Sequence, residues 1–381
     1  MKLSKLYIDF TNSEKASGII LLLCTVLSLT LSNSSIGQNY LHLFHFEVAH
    51  KSIEFWVNDG LMTIFFLLVG LEIEREVYIG ELSDIRKSLL PAIAAIGGML
   101  VPALIHFSMN SGTSAQSGFG IPMATDIAFS LAILSLLGKR VPASLKVFLT
   151  ALAIIDDLGA IVVIALFYTK GFSLLYFGIA MGLFGLMLIL NRFKVYRIWL
   201  YLIIGVVMWF CMYRSGIHAT ITGVLLAFAI PFGKGDEDSI SYRLQRKLHL
   251  PVAFIILPLF ALANTAITIP TGILNDLSTP NSYGIICGLL IGKPVGVFLF
   301  SILGIAIGWC TLPEGLKKRH LLFTGLLAGI GFTMSIFITL LAYNDPAIIT
   351  TSKVAIIVGS AASAILGFFG LRYTLKTTSA E

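Results

Sequence analysis

Charged residues are scarce in this chain. Asp, Glu, Lys and Arg together make up 12% of its 381 residues, against about 25% in soluble globular domains. Hydrophobic residues make up 57%, and the mean hydropathy is +0.91. This composition excludes an ordinary soluble protein, whose surface carries more charge. The sequence predicts an all-α polytopic membrane protein instead.

Cysteine is scarce as well. Cys24, Cys211, Cys287 and Cys310 lie singly in apolar runs and lack the close spacing of metal ligands, which argues against a disulfide framework or a zinc site. The net charge of +6 could indicate a nucleic-acid partner, but such binding needs basic residues gathered on one soluble face. Here they lie between apolar runs, so no nucleic-acid partner is expected.

Long apolar runs are what the chain has in abundance. A helix needs about 20 apolar residues to cross the hydrocarbon core of a membrane. Twelve runs come near that length, and we number them segments 1 to 12 along the chain: 14–32, 59–79, 88–108, 119–138, 147–169, 172–190, 198–213, 216–232, 251–269, 284–309, 320–343 and 353–371. The sequence therefore predicts twelve transmembrane helices in a single membrane domain, residues 1–381.

Basic residues are distributed unevenly between the connections. With both termini in the cytoplasm, only Lys51, Lys170, Arg214 and Lys353 of the 26 basic residues fall outside, and Lys293 falls within segment 10. Because cytoplasmic connections are enriched in Lys and Arg, this distribution predicts that both termini are cytoplasmic. It also explains the net positive charge.

The connection between segments 1 and 2, residues 41–57, alternates apolar and polar residues around positions 49–52, which predicts a short β-hairpin. The edge of an exposed hairpin can pair with a second copy of the chain, so a homodimer through this hairpin is one interpretation. A structured loop that contacts no other chain fits the pattern equally well.

Two adjacent acids occur in the middle of an apolar run. At about 1.5 Å per residue, Asp156 and Asp157 lie ~15 Å into segment 5, near the midplane of a ~30 Å core. Lys293 lies at a similar depth in segment 10, and Asp126, next to Thr125, lies nearer the outer face in segment 4. A charge at the midplane costs about 2.5 to 3.5 kcal/mol, so these side chains must face partners or a polar cavity.

Adjacent residues of a helix point about 100° apart, so Asp156 can face Lys293 while Asp157 faces a cavity. One interpretation is an ion pair that only joins helices, although apolar packing is often as stabilising as such a pair. The other is ion binding, because carboxylate and hydroxyl oxygens bind hard cations and a carboxylate can take up a proton instead. A site that binds either ion can exchange one for the other.

Segments 4 and 11 contain residues that interrupt helices. Segment 4 contains GFGIPMATD, and segment 11 contains LLAGIGFTMS with Gly325, Gly329 and Gly331. Gly and Pro interruptions in corresponding segments predict two discontinuous helices. The two segments run in opposite directions, so segments 3–5 (88–169) and 10–12 (284–371) are predicted to be inverted repeats. Glycines that allow close helix packing are the alternative for segment 11.

Several stretches together are similar to the NhaA-type Na+/H+ antiporters of bacterial inner membranes, over nearly the whole chain: FFLLVGLEIERE, MATDIAFSLAILSLLGKRVPASLKVFLTALAIIDDLGAI, RSGIHATITGVLLA, LPLFALANTAI, LLIGKPVGV and LLAGIGFTMSIFI. The resemblance implies twelve helices with inverted repeats, a dimer joined through the early hairpin, and no cofactor. It further implies a multi-pass protein, surrounded by membrane lipids, that exchanges internal Na+ or Li+ for a larger number of external protons.

The resemblance also implies roles for the intramembrane residues. Asp157 would be the chief ligand of Na+ or Li+, with Asp156 and Thr125 as further ligands. Asp156 would also be the partner of Lys293. Thr125 and Asp126 would belong to the crossing of the two broken helices.

A pH-sensing group on the cytoplasmic side is implied as well, and its candidates are Glu72, Arg75, Glu76 and His249, while His218 matches a family histidine linked to the pH response. The chain departs from the family at Gln245 and Arg246, where the family has an acid followed by a histidine, so the family's pH threshold is not implied. For His218, a lone histidine near the start of a segment, a structural role is the alternative to regulation.

Two other functions fit part of this pattern. An intramembrane aspartyl protease also buries two acids, but its pair shares one proton across ~3 Å, and neighbours on one helix diverge. An enzyme is therefore not expected. A proton- or sodium-coupled transporter of another solute is the alternative, because a fold does not determine its substrate.

Overall fold

The computed structural model describes residues 2–169, 171–269, 277–313 and 315–375, and most of these residues are helical. Lys170 and Lys376, which enter the distribution of basic residues, lie outside the described residues, as do Met1 and the last residues of the chain.

Helices separated by short turns make up the described chain. In chain order the elements are α1 (Lys2–Ser32), α2 (Gly37–His45), β1 (Glu47–Val48), β2 (Lys51–Ser52), α3 (Ile53–Tyr78), α4 (Ile85–Met109), α5 (Ile127–Leu136), α6 (Ala143–Phe167), α7 (Leu174–Arg192), α8 (Ile198–Ser215), α9 (Ile221–Ala229), α10 (Ile240–Asn264), α11 (Pro280–Ile307), α12 (Lys318–Ala328), α13 (Phe332–Ala342) and α14 (Pro346–Thr374). A 3-10 helix, Gln116–Met123, precedes α5.

Ten stretches within the described residues are long and apolar enough to cross a membrane, and the bent pair α12 and α13 would make an eleventh. They match the predicted segments in all places except segment 8. The chain is therefore a multi-pass, almost entirely helical membrane protein, and the count of twelve stays a prediction.

Segment 8, residues 216–232, contains only the nine-residue helix α9. Gly216 has a left-handed backbone (φ +83°) that ends α8, and Pro231 follows α9 and cannot donate a backbone hydrogen bond. Most residues of α9 are buried. An apolar run of this kind also arises from packing inside a protein, so its hydropathy alone did not establish a span.

The hairpin between α2 and α3 is shorter than the 41–57 range of the prediction. β1 and β2 pair antiparallel, with Glu47 opposite Ser52, and the turn residues Ala49 and His50 have positive φ. Residues 41–45 belong instead to α2, in which Tyr40 and Phe44 pack edge to face at 5.3 Å.

Two compact units make up the chain. The first contains the described residues of 1–34, 84–160 and 267–381, and in it α4 and α11 approach closely at Gly97 and Gly296. A Cβ atom added to either glycine would meet the backbone of the other. The second unit contains residues 35–83 and 161–266, and in it α3 and α9 make a similar approach at Gly70 and Gly223.

Candidate ion-binding site

Two helices of the first unit are broken near their middle. After the 3-10 helix the backbone is extended at Ala124 and Asp126, and α5 begins at Ile127. The second break separates α12, which ends at Ala328, from α13, and the two helices are bent by 51°. Pro122 has no backbone N–H to donate, and Gly329 and Gly331 have a low helix propensity. These residues explain why the two helices are broken at these places.

Residues at the first break donate hydrogen bonds to backbone carbonyl groups at the second break. The backbone N–H of Asp126 donates to Ile330 O at 2.7 Å. The hydroxyl group of Ser130 donates to Leu327 O at 2.7 Å, and that of Thr125 lies 2.9 Å from Ala328 O. Backbone groups freed inside a membrane need such partners, so the two breaks stabilise one another.

Asp126 joins the two half-helices that begin after the breaks. Its Oδ1 accepts from Phe129 N at 2.9 Å, which caps α5. Its Oδ2 accepts from the backbone N–H and the hydroxyl group of Thr333, at 3.1 and 2.5 Å, in the first turn of α13. Helix N-termini carry partial positive charge, so a buried carboxylate between two of them is electrostatically favourable.

Asp156 and Lys293 form a fully buried ion pair, with 2.7 Å between Oδ2 and Nζ. Lys293 Nζ also donates to the carbonyl oxygen of Met123, at the end of the 3-10 helix. The ammonium group therefore binds a free carbonyl of one broken helix and the carboxylate on α6.

The Thr125 hydroxyl group lies 2.8 Å from Asp156 Oδ2 and 2.9 Å from Ala328 O. A hydroxyl group has one proton, so it can donate fully to only one of these two acceptors at a time. Asp156 Oδ1 accepts no hydrogen bond from the described residues, and Asp157, the next residue, is 0% exposed. A buried carboxylate with one oxygen that accepts no hydrogen bond from the described residues therefore lies beside the Thr125 hydroxyl group.

Comparison with known proteins shows the family to which the chain belongs. A family model described as "Na+/H+ antiporter 1" matches residues 8–371. The chain belongs to this family. It is 58% identical to the Na(+)/H(+) antiporter NhaA of Flavobacterium psychrophilum over 381 residues, covering all of the chain and 99% of the relative.

Two further NhaA-type relatives match over nearly their full length. The Na(+)/H(+) antiporter NhaA of Dechloromonas aromatica is 60% identical over 376 residues, covering 98% of the chain and 97% of the relative. That of Vibrio parahaemolyticus is 46% identical over 371 residues, covering 96% and 97%. The family consists of secondary transporters, so the chain is not an enzyme.

The structure of this family member brings the predicted site residues together within the first unit. Asp156 contacts both Lys293 and Thr125 directly, Asp126 follows Thr125, and Asp157 follows Asp156. Thr333 and the carbonyl oxygen of Met123 also contribute to the site and were not among the predicted residues. A hydroxyl residue just after the glycines of segment 11 was the available signal for Thr333.

The five pH-sensing candidates lie in the second unit and are only partly buried. The Arg75 guanidinium group lies over the ring of Tyr242, 4.4 Å from its centroid. His218 Nε2 is 2.9 Å from Tyr168 O. His249 lies within α10, and Glu72 and Glu76 lie in the last two turns of α3. Their role in pH sensing stays a prediction.

The hydroxyl group of Thr333 is expected to contribute to stability through Asp126. Thr333→Val should lower the free energy of unfolding by about 1.5–3 kcal/mol, because it removes a hydrogen bond to a buried carboxylate. Thr333→Ser keeps the hydroxyl group and is the control. Thermal unfolding of the purified variants in detergent measures the difference, and equal midpoints for Val and Ser would contradict it.

Proposed function

We propose that this protein exchanges cytoplasmic Na+ or Li+ for external protons at a buried site formed by Asp156, Asp157 and Thr125. The observation that carries the proposal is the Asp156–Lys293 pair, with a second buried acid beside it, at the breaks of two helices. The relatives named Na(+)/H(+) antiporters support the choice of Na+ and protons.

Competition for oxygen atoms is the proposed mechanism. A dehydrated Na+ needs several oxygen ligands, which both carboxylates and the Thr125 hydroxyl group can provide. A proton on either carboxylate removes the negative charge that holds the cation. Because a cation beside Asp156 repels the Lys293 ammonium group, cation binding would also displace that ion pair.

Net exchange follows if the site faces one side of the membrane at a time. Protons bound from outside would be released inside when Na+ binds, and Na+ would be released outside when protons return. Two carboxylates and one lysine can hold more than one proton, so the proposed exchange moves more protons than sodium ions and is electrogenic.

Asp126 is proposed to act differently from the other two acids. Its carboxylate already accepts hydrogen bonds from the first turns of α5 and α13. We propose that it compensates the charge of these helix ends, while Lys293 compensates the carbonyl end at Met123, so that both breaks persist in a membrane.

Inverted repeats are part of the proposal. Residues 88–169 and 284–371 each contain a long helix, a broken helix and a second long helix, in that order. In the first repeat these are α4, the broken stretch that ends in α5, and α6. In the second they are α11, the bent pair α12 and α13, and α14.

We further propose twelve spans in a bacterial inner membrane, with both termini in the cytoplasm as the basic residues indicate. A homodimer through the hairpin is consistent with the exposed apolar side chains around it: Leu43, Phe46 and Val48 are 55%, 65% and 48% exposed. No cofactor is needed for the exchange.

Regulation by cytoplasmic pH is proposed for the group Glu72, Arg75, Glu76 and His249, and a role in the pH response is proposed for His218. Each can change charge or respond to a neighbour's charge. Glu72, Arg75 and Glu76 lie in the last two turns of α3, His218 lies just before α9, and His249 lies within α10. Gln245 and Arg246 in α10 replace two residues that titrate in the family, so a distinct pH threshold is proposed for this chain.

Everted membrane vesicles test the exchange itself. An imposed pH gradient is expected to collapse when Na+ or Li+ is added at alkaline pH, and K+ is expected to have no effect. A gradient that survives all three cations would contradict the proposal and favour a transporter of another solute.

A further inference from the structure

His320 lies in the first turn of α12, and both of its ring nitrogens contact backbone groups. Nδ1 is 3.1 Å from the backbone nitrogen of Lys317, just before the helix. Nε2 is 3.4 Å from the carbonyl oxygen of Thr374, at the end of α14. The side chain is 3% exposed, so water does not readily replace these partners.

Both backbone partners have fixed hydrogen-bonding roles. An amide N–H can only donate, so Nδ1 must offer its lone pair to Lys317, and a carbonyl oxygen can only accept, so Nε2 must carry the proton. The imidazole ring is therefore neutral in this arrangement. A second proton on Nδ1 would place two N–H donors against each other and remove the cap from the first turn of α12.

The charged groups around His320 that the structure describes are all basic. Lys317, Lys318 and Arg319 precede it, and the Arg319 guanidinium group also donates to Thr374 O at 3.2 Å. The helices packed against α12 are α5, α11 and α14. Their ionisable residues include Lys293, Lys353 and Arg372 and no carboxylate.

The nearest acid in the sequence, Glu314, lies outside the described residues. A positive imidazolium ring at His320 would thus be repelled by its described neighbours. Protonation would both break the cap and add charge to a basic cluster.

The other end of α12 holds the ion site. Leu327 O and Ala328 O, its last two carbonyl groups, accept hydrogen bonds from Ser130 and Thr125. α12 continues from His320 to Ala328, so about 12 Å of helix connects His320 to the break. A change at its first turn can shift the carbonyl group that competes with Asp156 for the Thr125 proton.

We propose that His320 is a second proton-binding site, separate from the ion site, through which acid on the cytoplasmic side slows exchange. A proton leaves a hydronium ion and forms an N–H bond at Nδ1, and a water molecule remains. The contact to Lys317 is then lost, and the first turn of α12 loosens. The inference rests on the proposed function, because exchange is one of its two readouts.

His320→Gln is the decisive variant. The Gln amide oxygen can accept from Lys317 and its amide nitrogen can donate to Thr374, but the group does not titrate. In everted vesicles, whose bath contacts the cytoplasmic face, exchange by the wild type should fall as the bath is acidified. In His320→Gln this fall of the exchange rate with acidification should occur at lower pH, and at alkaline pH the variant and the wild type should exchange at equal rates. His45→Gln, at an exposed histidine at the end of α2, is the control and should not move it.

Hydrogen exchange of the backbone amides at 317–321 provides a readout that does not depend on transport. At acidic pH these amides should exchange faster in the wild type than in His320→Gln, and at alkaline pH the two proteins should match. The inference would be overturned if the exchange rates of the wild type and His320→Gln fell over the same pH range, or if their amides exchanged equally fast at acidic pH. Wild-type vesicles without any cation-dependent response would instead overturn the proposed function, while the amide measurement would still decide the role of His320.

Discussion

Asp157→Asn is expected to abolish the collapse of the pH gradient by Na+ and Li+ in everted vesicles. Asparagine has nearly the same shape as aspartate, so the buried position stays filled. It carries no negative charge and cannot take up a proton, so neither of the two competing ions can be held there. The loss should therefore appear in the maximal rate, and a higher Na+ concentration should not restore it.

Asp345→Asn is the matched control. Asp345 is exposed, and its side chain caps α14 by accepting from Ala347 N at 2.9 Å. Asn caps helices about as well as Asp, so the rate of exchange should stay at the wild-type value. Wild-type exchange in Asp157→Asn would remove Asp157 from the mechanism, and loss in both variants would point to a general effect of removing negative charge.

Lys293→Gln is expected to destabilise the protein strongly. The substitution leaves Asp156 buried with the charge of its carboxylate uncompensated, and breaking a buried ion pair in this way costs about 3–5 kcal/mol. Thermal unfolding in detergent at alkaline pH should show a much lower midpoint than the wild type. Acidification should reduce the loss, because a protonated Asp156 has no charge to leave uncompensated.

The double variant Asp156→Asn with Lys293→Gln separates lost charge compensation from lost packing. Both side chains are then neutral and of similar size, so most of the stability should return, although exchange should not. A single variant Lys293→Gln as stable as the wild type would show that Lys293 does not compensate Asp156. A double variant as unstable as the single one would assign the loss to packing instead.

The sequence was sufficient to find the intramembrane acids and the breaks, because depth in an apolar run and helix-breaking residues are local properties. Asp156, Asp157 and Lys293 were recognisable as charges near a midplane. The hydrogen bonds from Thr333 to Asp126 join residues 207 positions apart, and no local pattern encodes such a contact. The backbone partners, such as Met123 O and Ala328 O, follow only from how the two broken helices cross.

Segment 8 and the hairpin show the limit of apolar patterns. Hydropathy measures only how apolar a run is, and α9 has nine residues, fewer than a membrane-spanning helix needs, so hydropathy alone does not decide whether segment 8 crosses the membrane. In residues 41–45 alternation suggested a strand, but the contact of Tyr40 with Phe44, one helical turn apart, belongs to a helix. In residues 41–45 both patterns were present, and packing selected the helix.

The central claim is that Na+ and protons compete for the same buried carboxylates. The most direct test is to add Na+ to the purified protein in weakly buffered detergent at constant pH and to measure the protons released. We predict proton release that saturates with Na+, is absent with K+ and disappears in Asp157→Asn. Saturable binding of Na+ without proton release would contradict the claim.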